Sequence, residues 1–128
     1  MTDAVRTMAR EDRNTSGPAV TFSIADELKR LREEPEWISG TRNSVTVVKT
    51  ANLSVVLTAV KKDATLCGHE VDGPITLQVL SGEIEFGVAG EPRTLQGGTV
   101  IALDNAVPHD IKALEDSEFL LTIVRDVK

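Results

Sequence analysis

The chain carries two histidines, His69 and His109, and one cysteine, Cys67, and all three fall between residues 67 and 109. Imidazole and thiolate are the usual protein ligands for zinc and its neighbours in the first transition series. An imidazole can equally hydrogen-bond a carboxylate or hydroxyl of a small molecule. Strict strand alternation would place Cys67 on the same face as His69, and Asp104, five residues before His109, offers a carboxylate. Each of the last two also has a plainer reading. A lone cysteine more often fills space as a small apolar side chain, and Asp104-Asn105 has the composition of a turn. A Cys67-His69 nucleophile pair lacks a third group to orient the imidazole. Glu83 and Glu85 share one strand face, the usual pattern of a solvated face. A phosphate-binding glycine loop, a His-Glu-x-x-His run, a Cys-x-x-Cys pair and a nucleophile elbow are all missing from the sequence.

The elements that must hold these residues read as strands. Gly73-Pro74, Ser81-Gly82, Ala89-Gly90 and Gly97-Gly98 punctuate short runs of apolar or alternating residues. Strands are predicted over 44–49, 53–61, 64–71, 75–80, 83–88, 93–95, 99–103, 109–113 and 118–124. So many short strands with frequent turns indicate an all-β sandwich or barrel. Before them, residues 1–18 lack any usable period and read as a mobile tail, and 19–43 as a helix with a connecting segment. Ser23 is placed as the helix N-cap with Asp26 three residues on, and Pro35 as its stop. Ile24, Leu28 and Leu31 form one apolar stripe, to lie on a sheet or on a partner subunit. Trp37 is read as a ring that pins this segment to the barrel or simply fills space.

The runs His69 to Gly82 and Gly98 to His109 resemble the two motifs of the cupin superfamily, and Val79-Leu80-Ser81-Gly82-Glu83 is similar to a turn common in those domains. The first family motif reads His-x-His, three or four residues, Glu, six residues, Gly; the second reads Gly, five residues, Pro-x-Gly, two residues, His. The resemblance covers about residues 44–126. It implies a small RmlC-like cupin: a double-stranded β-helix, or jelly-roll barrel, with a short N-terminal helix. Metal-binding cupins resemble one another in using two histidines and a carboxylate of the first motif plus the histidine of the second. Here Val71 stands at the second histidine and Ile75 at the glutamate, while Asp104 and Ala106 replace the proline and glycine. Two of four ligands are therefore hydrocarbon.

No tightly bound cofactor is expected on this reading, only a weakly held divalent ion (Zn, Ni, Fe or Mn) on His69 and His109, with Cys67 or Asp104 as a third ligand. The barrel lining would be Cys67, His69, Val71, Ile75, Leu77, Val79 and His109, an apolar pocket with a few orienting polar groups. A one-residue slip at Gly73-Pro74 would turn Gln78 inward instead. The leading expectation is a module that binds a small organic ligand, as a homodimer. A metal-dependent oxygenase or isomerase, and a structural or regulatory homodimer with a vestigial pocket, are the other two. The net charge of −6, with basic residues scattered among acids and only four aromatic side chains besides histidine, argues against nucleic acid. The absence of a signal-like apolar run, of a spanning segment and of a second cysteine leads to an expected cytoplasmic location without membrane insertion.

Overall fold

Two helices and nine strands make up the computed structural model, which describes residues 14–69, 73–104 and 107–125, with 67–69 given by their backbone. Helix α1 (Ile24–Glu33) and the single turn α2 (Pro35–Ile38) precede β1 (Arg42–Lys49), β2 (Leu53–Val60), β3 (Thr65–His69), β4 (Ile75–Ser81) and β5 (Glu83–Val88). Then come β6 (Glu91–Gln96), β7 (Val100–Leu103), β8 (His109–Ala113) and β9 (Ser117–Val124). The strands form two antiparallel sheets, β1-β2-β9-β4-β7 and β3-β8-β5-β6, a jelly-roll arrangement. No helix among the described residues is long and apolar enough to cross a membrane.

Register explains which side chains meet. Across the first sheet, Thr58 opposes Phe119, which opposes Val79, and Val56, Leu121, Leu77 and Ile101 form the next row. Cross-strand partners share a face, and this face looks into the barrel. There it joins Ile84, Phe86, Leu95, Ile111 and Ala113 of the second sheet in one buried cluster. The opposite face of β1 and β2 presents Val45, Val55, Leu57 and Ala59 to Leu28 and Leu31 of α1. Strand β2 is thus covered on both sides, which is why its sequence is almost continuously apolar rather than alternating.

Ser23 caps α1, its Oγ accepting from Asp26 N at 3.2 Å, and the helix breaks before Pro35. Proline then occupies the first turn of α2, a position where its missing N–H costs nothing. The expected apolar stripe shortens to Leu28 and Leu31, for Ile24 is exposed. The stripe is covered by the chain's own sheet, so it offers no face for a second subunit. Trp37 does pin its segment, with the Lys61 ammonium 4.8 Å and the Arg32 guanidinium carbon 5.8 Å from its ring centroid. Arg32 also pairs with the buried carboxylate of Glu118, which accepts from Ser81 Oγ at 2.9 Å. Ser117 and Glu118 open β9, one residue ahead of the predicted strand. In the segment expected to be a tail, Thr15 O accepts from Lys49 N at 2.8 Å, which ties Thr15 to the end of β1.

The β5-β6 hairpin turns through Ala89 (φ 51°) and Gly90 (φ 84°), both left-handed, as a two-residue turn between right-twisted strands requires. Alanine there carries a Cβ penalty of roughly 1 kcal/mol that asparagine largely escapes. Ala89→Asn is expected to raise stability by about 0.5–1 kcal/mol in urea denaturation. A lowered midpoint would show that Ala89 is held by something other than the turn.

Candidate functional site: a cavity between the two sheets

His109 opens β8 at a point where three elements converge. Its backbone pairs with Val88 on one side and with His69 on the other, so the two histidines of the chain are cross-strand neighbours. The His109 ring is buried and lies nearly parallel to Phe86, with centroids 5.4 Å apart and planes at 9°. Its Nδ1 sits 3.2 Å from Val107 O. A carbonyl can only accept, so in that bond Nδ1 carries the proton, and the lone pair of a neutral ring belongs to Nε2.

Strand β3 reaches His69 through a bulge. Leu66 opposes Ile111 and His69 opposes His109, three residues on β3 against two on β8. The register shift falls between Leu66 and His69, the stretch that holds Cys67, so strict alternation does not run through it. Ile75 and Leu77 face inward, 4% and 1% exposed, and Val79 is fully buried. Gln78 is exposed and opposes Val100 on the outer face, so the slip that would have turned it inward does not occur. Asp104 is exposed just beyond β7. Val71 lies outside the described residues. Among the described residues, no three His, Cys, Asp or Glu side chains converge as a metal site would require.

Beside His109 a cavity of about 350 Å³ opens between the sheets. Its floor is apolar: Leu66, Leu77, Ile111, Phe119 and Leu121. Its rim is polar, made by the exposed Glu36 on α2 and Arg42 and Ser44 on β1, and the buried Asn43 and Thr58 add polar groups to the lining. Register accounts for that rim. Arg42 opposes Val60 and Ser44 opposes Thr58, both on the barrel-facing side of β2, whereas Asn43 and Val45 oppose Ala59 and Leu57 under the helix. Asn43 is consequently structural. Its Nδ2 donates to Leu31 O (2.9 Å) and to Glu34 Oε1 (2.8 Å), fastening the end of α1 to the sheet edge. Arg42 Nη1 donates to Thr65 O at 2.8 Å, spanning from the edge of one sheet to the edge of the other.

None of Glu36, Arg42, Ser44 and Thr58 stood out in the sequence as a site residue. The available signal was the alternation Arg42, Ser44, Thr46 on β1. A polar strand face ordinarily meets solvent, and only closure of the barrel places this one over a cavity.

This architecture is shared with known structures. A cupin superfamily protein from Desulfitobacterium hafniense aligns with a TM-score of 0.64 at 15% identity, over 66% of this chain and 78% of its own. An RmlC-like cupin from Shewanella frigidimarina aligns at 0.63 and 18% identity, over 70% and 80%. The chain has a cupin fold. A variant of salicylate 1,2-dioxygenase from Pseudoaminobacter salicylatoxidans gives a TM-score of 0.74 at 15% identity, and its alignment takes in 87% of this chain but only 36% of the dioxygenase. No family model matches the sequence, and no curated protein does. The four-ligand metal set of the cupin motifs does not fit these residues. The glutamate position is Ile75, packed in the core against Leu103 and Ile123, and the second histidine position is Val71, neither with a lone pair to offer.

Proposed function

We propose that this cupin barrel is a binding module for a small organic molecule, taken into the cavity beside His109. One observation carries the reading: a cavity of about 350 Å³ with a hydrocarbon floor and a short polar rim. Ligand pockets have this composition, in which apolar surface supplies affinity and a few placed polar groups supply orientation. Replacement of the motif glutamate by Ile75 supports it further, since hydrocarbon then occupies the place of an ion's ligand. His109, with its ring fixed by Phe86 and Val107, serves as an orienting wall.

The test is a thermal-shift screen of small carboxylic acids, alcohols and sugars against the full chain and against Leu66→Trp. Leu66 is half-buried, which leaves a larger ring room to fill the cavity without forcing the core apart. A ligand present at 100 times its Kd stabilises the folded chain by about 2.7 kcal/mol. A hit should raise the melting temperature of the wild type and leave Leu66→Trp unmoved. If every compound shifts the two proteins equally, the cavity is not the binding site.

A further inference from the structure

We propose that the cavity selects a monocarboxylate with an apolar body, its carboxylate held at the rim by Arg42 and its hydrocarbon on the floor. The inference rests on the reading of the cavity as a ligand site and names the class of ligand. Arg42 is the one cation among the described residues that line the cavity. It sits on the barrel-facing side of β1, beside the row in which Ser44 opposes Thr58. Thr65 O engages one of the five N–H donors of the guanidinium, and this is its only hydrogen bond among the described residues. That bond anchors the arginine across the gap between β1 and β3. A planar, anchored fork with donors to spare is the group that binds a carboxylate through two parallel hydrogen bonds. The hydroxyls of Ser44 and Thr58 can add donors to the same oxygens.

Charge and shape narrow the class. The floor side chains Leu66, Leu77, Ile111 and Phe119 cannot stabilise an ion, so the charged end must lie at the rim. Glu36, also on the rim, forms no ion pair with Arg42 among the described residues, and its carboxylate penalises each further negative charge on a ligand. With one cation and one carboxylate lining the same cavity, a single negative charge is favoured over a phosphate.

Isothermal titration calorimetry on the full chain tests this with three probes of one shape: 3-phenylpropanoate, 3-phenylpropanol and 3-phenylpropylamine, with hexanoate as a second acid. The acids should bind at least about tenfold more tightly than the alcohol, and the amine most weakly, as charge-assisted hydrogen bonds predict. Arg42→Gln, which keeps a donor for Thr65 O, should weaken the acids by about 10- to 100-fold and change the alcohol by less than about twofold. Arg42→Lys retains the charge without the fork and should fall between them. The melting temperature of each variant reports whether it is folded. Equal binding of acid and alcohol, an acid unaffected by Arg42→Gln, or preferential binding of the amine would each overturn the inference, and binding of the alcohol that Leu66→Trp abolishes would still uphold the cavity as the site. Silence from all the probes would overturn it too, with the broader reading then decided by the Leu66→Trp screen.

Discussion

Gly82→Ala is expected to lower the stability of the fold by at least about 3 kcal/mol. Gly82 has φ +88°, in the left-handed region where a Cβ is strained whatever the space around it. It also lacks space. A Cβ there would lie 2.5 Å from Asp116 O and 2.7 Å from Ser117 Cα, both backbone atoms that cannot swing aside. The reason lies in the topology. Ser81-Gly82-Glu83 carries the chain from β4 in one sheet to β5 in the other, and Glu115-Asp116-Ser117 carries it back from β8 to β9. The two crossings lie one on the other. Ser117 Oγ accepts from Glu83 N at 3.0 Å and donates its proton to Glu115 O, 2.7 Å away, with Glu83 O also in reach at 3.1 Å. A methyl group at Gly82 must push these crossings apart and break that contact. Gly98→Ala is the control, since Gly98 has φ +92° with nothing within 4 Å of a built Cβ. It should lose only the dihedral term, about 1 kcal/mol. Urea unfolding of both variants decides the matter: equal losses would mean that the crossings do not need the close approach.

That corner was visible in the sequence as Val79-Leu80-Ser81-Gly82-Glu83, and so was most of the architecture. Turn residues are local signals with local causes, so strands bounded by Gly73-Pro74, Ser81-Gly82 and Ala89-Gly90 emerge where those signals place them. The inward parity of Ile75, Leu77 and Val79 was legible for the same reason, once Gly73 proves to turn the chain without shifting the register of β4. What could not be read is whatever depends on pairing between distant strands. The bulge before His69 is a property of β3 and β8 together, so no periodicity within β3 reveals it. Arg42 and Ser44 look like an ordinary solvated strand face until β1 folds over the opening, and the nearest clue, the pairing of Ser44 with Thr58 across the first hairpin, lies fourteen residues away. The stacking of Phe86 on His109 likewise exists only because β5 and β8 are neighbours, in a register that no turn signal encodes.

Phe86→Ala should cost about 3–5 kcal/mol, the usual range for removing a fully buried aromatic ring. Phe86 is 0% exposed and belongs to the core cluster with Ile84, Leu95 and Ile111. Part of that loss is the cavity left behind, and part is the stack on His109. Phe86→Leu separates the two, because leucine refills much of the volume without a π face and should lose only about 1–2 kcal/mol. The stack itself is measured by a double-mutant cycle between Phe86→Leu and His109→Gln, with stabilities taken from urea unfolding. Aromatic pairs in offset or parallel contact are worth about 0.5–1.5 kcal/mol beyond their buried area, and a coupling of that size is expected here. The consequence reaches the candidate site. Phe86 on its face and Val107 O at Nδ1 both restrain the His109 ring, and replacing Phe86 removes the first of these. If His109 is a fixed wall for a bound molecule, Phe86→Leu should weaken ligand binding while the protein remains folded, and the imidazole proton signals should move downfield as the shielding ring is withdrawn. A coupling energy near zero, with His109 signals unchanged, would mean that Phe86 merely fills the core and that the orientation of His109 is set by its own strand.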